Sequence, residues 1–151
     1  MSVFTESLVV SPLSDGKTWV ILRPFGYDVG SEGSGDTVRV RTGFMTDFAS
    51  IPRLLWIFLP RWGKYGNAAV IHDWLYWIQK RSRKEADSIM LEGMTVLKVP
   101  AWQKYSIYTA VRLFGCLAWK RNQWDKEAGF RRVIINYRIN TDDRSNRPGF
   151  I

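Results

Sequence analysis

Residues 67–80 read NAAVIHDWLYWIQK, and the tetrapeptide SRKE follows at 82–85. The first stretch predicts a helix from about Asn67 to Lys80. Ser82 and Glu85 form a capping-box pattern, in which the serine and the glutamate three residues later satisfy each other's backbone amides. A further helix therefore begins near Ser82. Because the connection between the two helices is tight, we expect them to run antiparallel.

Two more helices are predicted on either side of this pair. Ser50 is a candidate N-cap with Pro52 in the first turn, and the helix that follows extends over 51–59 and ends at Pro60. Pro100 opens another helix, from Ala101 to about Lys120. Its expected apolar stripe has i, i+3, i+4 spacing and consists of Tyr105, Tyr108, Val111, Gly115 and Trp119.

The first 44 residues have a different pattern. Phe4–Val10, Thr18–Pro24 and Thr37–Phe44 are short, β-branched or aromatic segments that predict strands. Turn-forming sequences at 11–16 and 30–36 separate them, which favours an antiparallel meander. Val38 and Val40 should share one face of their strand.

The predicted fold is therefore α+β, with an N-terminal antiparallel sheet packed on a layer of about four helices. Arg132–Ile139 returns to strand-like composition and predicts a C-terminal strand. We expect a single domain over 1–139 and a polar C-terminal tail over 140–151.

Composition excludes several classes of protein. Cys116 is the one cysteine among 151 residues, so an internal disulfide and a cysteine-rich zinc site are excluded. The longest apolar runs are interrupted by arginine or proline, which argues against a transmembrane span. The N-terminus lacks the basic region of a signal peptide, and we therefore expect a protein that stays in a cytoplasm.

The net charge of +8 concentrates toward the C-terminus, since residues 101–151 contain 10 basic and 4 acidic groups. This excess suggests contact with a polyanion. Nucleic acid is the less favoured polyanion, because helix-turn-helix, zinc-finger and RNA-binding signatures are all missing from the sequence.

Three short stretches, around residues 46–52, 69–76 and 83–87, hold the single histidine and three carboxylates in apolar or capped surroundings. His72 and Tyr76 are i, i+4 neighbours on one helix face, whereas Asp73 is rotated by about 100°. In the antiparallel pair Tyr76 is nearly level with Asp87, and His72 lies about one turn away. A Tyr76–Asp87 hydrogen bond is therefore more natural than one between His72 and Asp87.

These residue types suggest hydrolytic chemistry at a metal. One imidazole with carboxylates suits Zn, Mn or Mg, and the candidate ligands and catalytic residues are Asp47, His72, Asp73 and Asp87. Tyr76 would orient Asp87, Arg53 would stabilise anionic charge, and Ser50 completes the binding residues.

Each candidate also has a purely structural interpretation. Asp47 and Ser50 are typical caps for the helix that begins near Ile51. Asp87 could be one half of a surface ion pair with Arg83, and His72 could be a core residue. Asp73 is the most informative of the set, because a buried carboxylate beside tryptophans requires a partner.

Read together, the stretches 43–53, 68–76 and 83–87 resemble the phage and prophage domain-of-unknown-function family 1353, and 111–115 is similar to a later helix of that family. The resemblance covers about residues 38–119. The positions that match the family motifs are Thr46, Asp47, Ser50, Pro52, His72, Asp73, Tyr76 and Asp87. The resemblance implies a small protein encoded by bacteriophages and prophages, and it implies no settled activity.

Two functional hypotheses follow. The first is a phage-encoded hydrolase that acts on the cell wall or on an anionic substrate, located in the cytoplasm of the bacterial host during infection. The second is a non-enzymatic virion component, such as a tail or connector protein, or a module that binds other phage proteins or a host component. Membrane-surface attachment through the aromatic segment 56–59 is a third interpretation.

Overall fold

A computed structural model describes residues 1–47 and 63–134 of the chain, and within these ranges six short strands precede three helices. The strands are β1 (Val3–Phe4), β2 (Val10–Pro12), β3 (Trp19–Ile21), β4 (Phe25–Asp28), β5 (Thr37–Val40) and β6 (Met45–Thr46). The helices are α1 (Gly66–Ile78), α2 (Arg83–Val96) and α3 (Ala101–Glu127). The predicted α+β class is confirmed.

The strands form two antiparallel three-stranded sheets, with orders β1-β4-β5 and β2-β3-β6. The predicted meander is therefore wrong, because β1 pairs with β4 and skips the two strands between them. The predicted strand Phe4–Val10 is split between β1 and β2. β4 and β6 were not predicted.

Strand β4 lies between β1 and β5, and Gly26 makes this central position possible. A Cβ atom at Gly26 would lie 2.9 Å from Thr5 Oγ1 and 3.2 Å from the carbonyl oxygen of Val38. Only a residue without a side chain allows the backbones to approach so closely. In β5, Val38 and Val40 are buried while their neighbours are exposed, which confirms the predicted shared face.

The helices follow the prediction closely at their beginnings. Ser82 caps α2, and the capping box with Glu85 is complete. Helix α3 begins after Pro100 as expected but continues to Glu127, seven residues beyond the predicted end. The sequence 120–127 contains neither glycine nor proline, and the helix ends two residues before Gly129, which has a φ of 85°.

Helix α1 is the central element of the core, since 11 of its 13 residues are buried. It runs antiparallel to α2, as predicted: a Cβ at Gly93 would lie 3.2 Å from the Cβ of Ala68, and His72 lies next to Asp87 further along. This arrangement places both faces of α1 against protein, and therefore buries its polar residues as well.

Several predictions lie wholly or partly outside the described residues. They are the helix over 51–59, the strand Arg132–Ile139 beyond Ile134, and the tail 140–151. Val133 forms an isolated antiparallel bridge with Phe44. In the two described stretches, none of the helices is long and apolar enough to cross a membrane.

Candidate functional site

The first polar cluster is built around the carboxylate of Asp87 in α2, which is fully buried. Its Oδ1 accepts hydrogen bonds from His72 Nε2 at 2.8 Å and from the Tyr76 hydroxyl at 2.6 Å. Its Oδ2 accepts from Arg112 Nη1 at 2.7 Å and from Arg83 Nη1 at 3.4 Å. Four donors thus converge on one carboxylate.

This cluster confirms one prediction and corrects another. The Tyr76–Asp87 hydrogen bond forms as expected. The His72–Asp87 bond forms too, because the rings of His72 and Tyr76 lie only 4.0 Å apart and both reach the same oxygen. The pairing of Asp87 with Arg83 is real, but it is not a surface pair, since Asp87 has no exposed area.

The protonation states of this cluster follow from burial and hydrogen bonding. Burial lowers the pKa of His72 and outweighs the opposite effect of Asp87. Burial also disfavours the charge of Asp87, but the donors His72, Tyr76 and Arg112 together hold its pKa below the usual value. Because a carboxylate only accepts, Nε2 carries the proton of a neutral His72. The other ring nitrogen, Nδ1, is also buried, and none of the described residues forms a hydrogen bond with it.

A second cluster lies on the other side of α1. Asp73 is 4% exposed, and the hydroxyl of Thr46 in β6 donates a hydrogen bond to its Oδ2. Burial and then the negative charge of Asp47 raise the pKa of Asp73 to about 7, against the smaller opposing effects of Thr46 and Arg132. Asp73 therefore keeps its proton to a higher pH than an ordinary aspartic acid.

Asp47 and Asp73 both line a cavity of about 300 Å³, which is large enough for several water molecules or a small ligand group. Its other polar walls come from Arg121 and Asn122 of α3 and from Arg132. The apolar walls are Phe114, Leu117 and Ala118. The cavity thus combines two carboxylates with two guanidinium groups.

Tyr76 connects the two clusters. Its hydroxyl donates to Asp87, its side chain lines the cavity, and its carbonyl oxygen accepts a hydrogen bond from Asn122 Nδ2 at 3.2 Å. Helix α3 can come this close because residue 115 is glycine: a Cβ there would lie 2.4 Å from the Tyr76 hydroxyl oxygen.

Comparison with known proteins gives one informative result. The model of a family described as "Protein of unknown function (DUF1353)" matches residues 19–111, which is more than half of the chain. The chain belongs to the DUF1353 family. No curated protein and no solved structure matches it significantly.

The DUF1353 match begins earlier than the resemblance inferred from the motifs, at residue 19 instead of 38, and ends at 111 instead of 119. It includes all the predicted site residues. Most of the cavity wall lies beyond it, including the polar residues Arg121, Asn122 and Arg132, as does Arg112 of the buried cluster.

Five of the seven predicted site residues of this DUF1353 protein are described, and they form two groups instead of one. His72, Tyr76 and Asp87 belong to the buried cluster, whereas Asp47 and Asp73 line the cavity together with Tyr76. The remaining two, Ser50 and Arg53, lie outside the described residues. For 1–47 and 63–134, no group of three or more His, Cys, Asp or Glu side chains could hold a metal ion.

Four residues of the two sites were not predicted from the sequence: Arg112, Arg121, Asn122 and Arg132. Arg112 offered a usable signal, because a single arginine inside the apolar run 105–119 requires a buried anion. No comparable sequence signal marks Arg121, Asn122 and Arg132, because the segment around them is polar and typical of a solvent-exposed surface.

Proposed function

We propose that this DUF1353 protein is a hydrolase whose acid–base pair is Asp73 and Asp47. The observation that carries the proposal is a buried carboxyl group with a pKa of about 7, placed beside a second carboxylate in a cavity. Two carboxyl groups whose environments separate their proton affinities are the usual arrangement for general acid and general base.

The proposed chemistry is a single hydrolytic displacement. The carboxylate of Asp47 accepts a proton from a water molecule as its oxygen attacks the electrophilic centre of the substrate. The protonated Asp73 donates its proton to the leaving oxygen as the scissile bond breaks. The hydroxyl of Thr46 holds Asp73 in one orientation, so that the proton lies in a fixed position.

Arg121 and Arg132 define the proposed substrate class. Guanidinium groups bind carboxylate and phosphate oxygens, and two of them line a cavity that already holds the acid pair. An anionic substrate, or an anionic segment of the bacterial cell wall, fits this combination. The net charge of +8 favours the same class of partner.

His72 and Asp87, which sequence analysis predicted as catalytic residues, have a supporting role in this proposal. They belong to the buried cluster, and the described residues that line the cavity do not include them. Their hydrogen bonds fix Tyr76, which does line the cavity. They are therefore positioning residues, with His72 neutral.

A divalent metal such as Zn, Mn or Mg is an alternative to the acid–base pair, because a carboxyl group that binds a metal is deprotonated and does not serve as the acid. Of the four predicted ligands, only Asp47 and Asp73 line the cavity together, and two carboxylates suit Mg or Mn better than Zn. A thermal-shift titration of chelator-stripped protein with each metal tests this. Saturable stabilisation that Asp73→Ala abolishes and His72→Ala preserves would support a metal at the carboxylate pair.

The hydrolase proposal is tested with Asp73→Asn and Asp47→Asn on cell-wall sacculi and on chromogenic phosphate esters. Each substitution should lower kcat by a factor of about 10² or more, because it removes a proton-transferring group. The matched control is Glu32→Gln, an exposed carboxylate in the β4–β5 turn. Full activity of Asp73→Asn would contradict the proposal.

The pH profile gives a second test of the same roles. If Asp73 is the general acid, kcat falls as the pH rises above about 7, because the group loses the proton that it must donate. A profile without this descending limb would contradict its role as the acid, even if Asp73→Asn were inactive.

The non-enzymatic alternative has one observation in its favour, the large apolar side chains exposed along α3. A virion component or host-interaction module would use such a surface for contact with other phage proteins or with the host. This alternative would be favoured if the folded protein hydrolysed none of the substrates and if the protein were found in purified phage particles. Phage origin, and residence in the host cytoplasm or the virion, rest on the family resemblance.

Polyanion contact also stays a proposal. A groove of about 750 Å³ between β5 and the end of α1 is lined by four basic side chains, Arg39, Arg41, Lys80 and Arg81. Arg39 and Arg81 already pair with Glu6 and Asp36. This groove is a candidate site for anion binding. It lies outside the basic C-terminal half, where the sequence predicted contact with a polyanion.

A further inference from the structure

Strand β5 lies at the edge of its sheet. The order β1-β4-β5 gives it β4 as a neighbour on one side, and no strand of the described residues pairs with its other side. The carbonyl oxygen of Asp36 accepts a hydrogen bond from the amide of Val29, which continues the β4–β5 pairing. Because backbone groups alternate along an antiparallel pair, every second residue from Asp36 to Val40 faces β4. The N–H and C=O groups of Thr37 and Arg39 therefore form the outer edge of the sheet.

A groove of about 750 Å³ follows this edge, and we call it the β5 groove. Its first wall consists of Thr37, Val38, Arg39 and Arg41. Val38 is buried on the inner face of β5, whereas Thr37 and Arg39 are exposed on the outer face. A groove that is lined from both faces of one strand runs along the edge of that strand. The stretch from Thr37 to Arg41 is about 13 Å long, which accommodates about four residues of an extended chain.

The opposite wall of the β5 groove is the C-terminal end of α1. Its apolar part consists of Trp74, Leu75 and Ile78. Because Val38 and these residues belong to or pack against one hydrophobic core, α1 lies on the inner face of β5. In a strand added at the edge, alternate side chains would face α1, and the others would lie on the outer face beside Arg39.

The β5 groove is positively charged. Two of its four basic side chains, Arg39 and Arg81, form ion pairs with acidic neighbours, yet the side chain of Arg39 is still 62% exposed. The other two, Arg41 and Lys80, are exposed, and neither forms an ion pair within the described part of the chain. Their charges favour an anionic occupant.

Three other occupants fit the β5 groove less well. A second copy of β5 would place its own arginines against Arg39 and Arg41, and like charges on adjacent strands destabilise the pairing. Residues 135–141 of the same chain contain an arginine and no acidic residue. A nucleic acid would match the charges, but it would use neither the strand edge nor the apolar wall of α1.

From these observations we infer that the β5 groove binds an extended segment of a partner protein, in which apolar residues that face α1 alternate with acidic residues on the outer face. The segment pairs with the backbone of Thr37 and Arg39 and extends the sheet to four strands. The inference specifies the anionic partner proposed for this groove as an acidic protein segment. It does not depend on the chemistry of the cavity, because none of the described residues lines both the cavity and the groove.

The first test measures binding of a labelled octapeptide of alternating valine and glutamate to the full chain by fluorescence anisotropy. We expect saturable binding. Lys80→Glu should weaken it about fivefold or more, because the substitution replaces an attraction by a repulsion. The matched control is Lys120→Glu, which makes the same change of charge at an exposed lysine of α3 and should leave the affinity unchanged.

The second test examines the backbone pairing with two N-methylated forms of the same peptide. Residues whose backbones face each other in an antiparallel pair have their side chains on the same face of the sheet, so the glutamate amides of the peptide should face β5. Methylation of the glutamate amides should therefore weaken binding about tenfold or more. Methylation of the valine amides should preserve it.

Four outcomes would overturn the inference. They are no saturable binding of the peptide, equal affinities of Lys80→Glu and Lys120→Glu, equal binding of the two methylated peptides, and displacement of the peptide by single-stranded oligothymidylate at lower concentration than by unlabelled peptide. The last outcome would assign the groove to nucleic acid. Circular dichroism verifies that both variants are folded, which we expect because both lysines are exposed.

Discussion

Among single residues, Asp87 shows how a buried charge is stabilised in this protein. Its carboxylate has no exposed area and accepts hydrogen bonds from four side chains. Arg83 and Arg112 remain about a quarter to a third exposed, so the positive charges keep contact with water while the negative charge does not. Loss of a partner would therefore leave the carboxylate without water to replace it, whereas the two arginines would remain hydrated.

Asp87→Asn should therefore destabilise the fold by about 3 kcal/mol or more, the range seen when one partner of a buried ion pair is removed. The amide would place a donor group where four donors already converge. Urea unfolding at pH 7 measures the loss, and Glu32→Gln should stay within about 0.5 kcal/mol of the wild type. Equal stability of the two variants would refute the role assigned to Asp87.

Asp73 has the opposite effect on stability. Its pKa is raised to about 7, so between about pH 4 and pH 7 the folded protein holds a proton that the unfolded chain has released. The free energy of unfolding therefore falls as the pH rises through this interval. At neutral pH, burial of the Asp73 carboxyl group in the cavity therefore lowers the free energy of unfolding.

Asp73→Asn should remove this pH dependence. Relative to the wild type, the variant should gain stability between pH 5 and pH 8, because the amide does not ionise and its oxygen can still accept from Thr46. Chemical denaturation at both pH values measures the difference. If wild type and variant change in parallel, Asp73 titrates normally and the acid–base proposal loses its main support.

Among the elements, α3 joins the two polar clusters. It supplies Arg112 to the Asp87 cluster, and it supplies Arg121 and Asn122 to the cavity. Its contact with the end of α1 is also polar, because Gln79 donates to the carbonyl oxygen of Trp119 and accepts from Lys126. The position of α3 therefore determines both sites at once.

Gly115→Ala tests the close contact between α3 and α1. Alanine favours a helix over glycine by about 1 kcal/mol, but its Cβ would lie 2.4 Å from the Tyr76 hydroxyl oxygen. We expect net destabilisation, since Tyr76 must give up its bond to Asp87. In a Tyr76→Phe background the hydroxyl oxygen is absent and the nearest ring atom lies 3.3 Å from the added Cβ, so the same substitution should be much less destabilising. An equal effect in both backgrounds would contradict this account.

In the molecule as a whole, His72 and Asp73 have opposite effects on how the free energy of unfolding changes as the pH falls. The pKa of His72 is lowered by burial, so below about pH 6.5 the unfolded chain takes up a proton that the folded protein refuses. This contribution to stability is present above pH 6.5 and is lost as the pH falls. Asp73 opposes it over the same interval.

The Asp73→Asn variant makes the histidine contribution measurable, because the chain contains only one histidine. Its free energy of unfolding should fall by up to about 1.4 kcal/mol per pH unit as the pH is lowered from 6.5 to 5. Denaturation at half-unit steps of pH would show this slope. A flat profile would mean that His72 titrates as freely in the folded protein as in the unfolded chain.

Much of the helical part of the fold could be predicted from local sequence. The capping box at Ser82 and Glu85, the start of α3 after Pro100 and the antiparallel α1–α2 pair depend on neighbouring residues, and each was confirmed. The strands were predicted less well. β4 and β6 gain stability from partners distant in the chain, which local composition does not reveal.

The candidate site divides in the same way. Local sequence was enough to show that His72 and Asp73 are unusual, because a histidine and a carboxylate among tryptophans and alanines require partners. The partners themselves depend on how α1 packs against distant parts of the chain. The rotation of about 100° between successive helical residues directs His72 and Asp73 to different packing surfaces of α1. Helix α3 contributes Arg112 to one of these surfaces and Arg121 to the other.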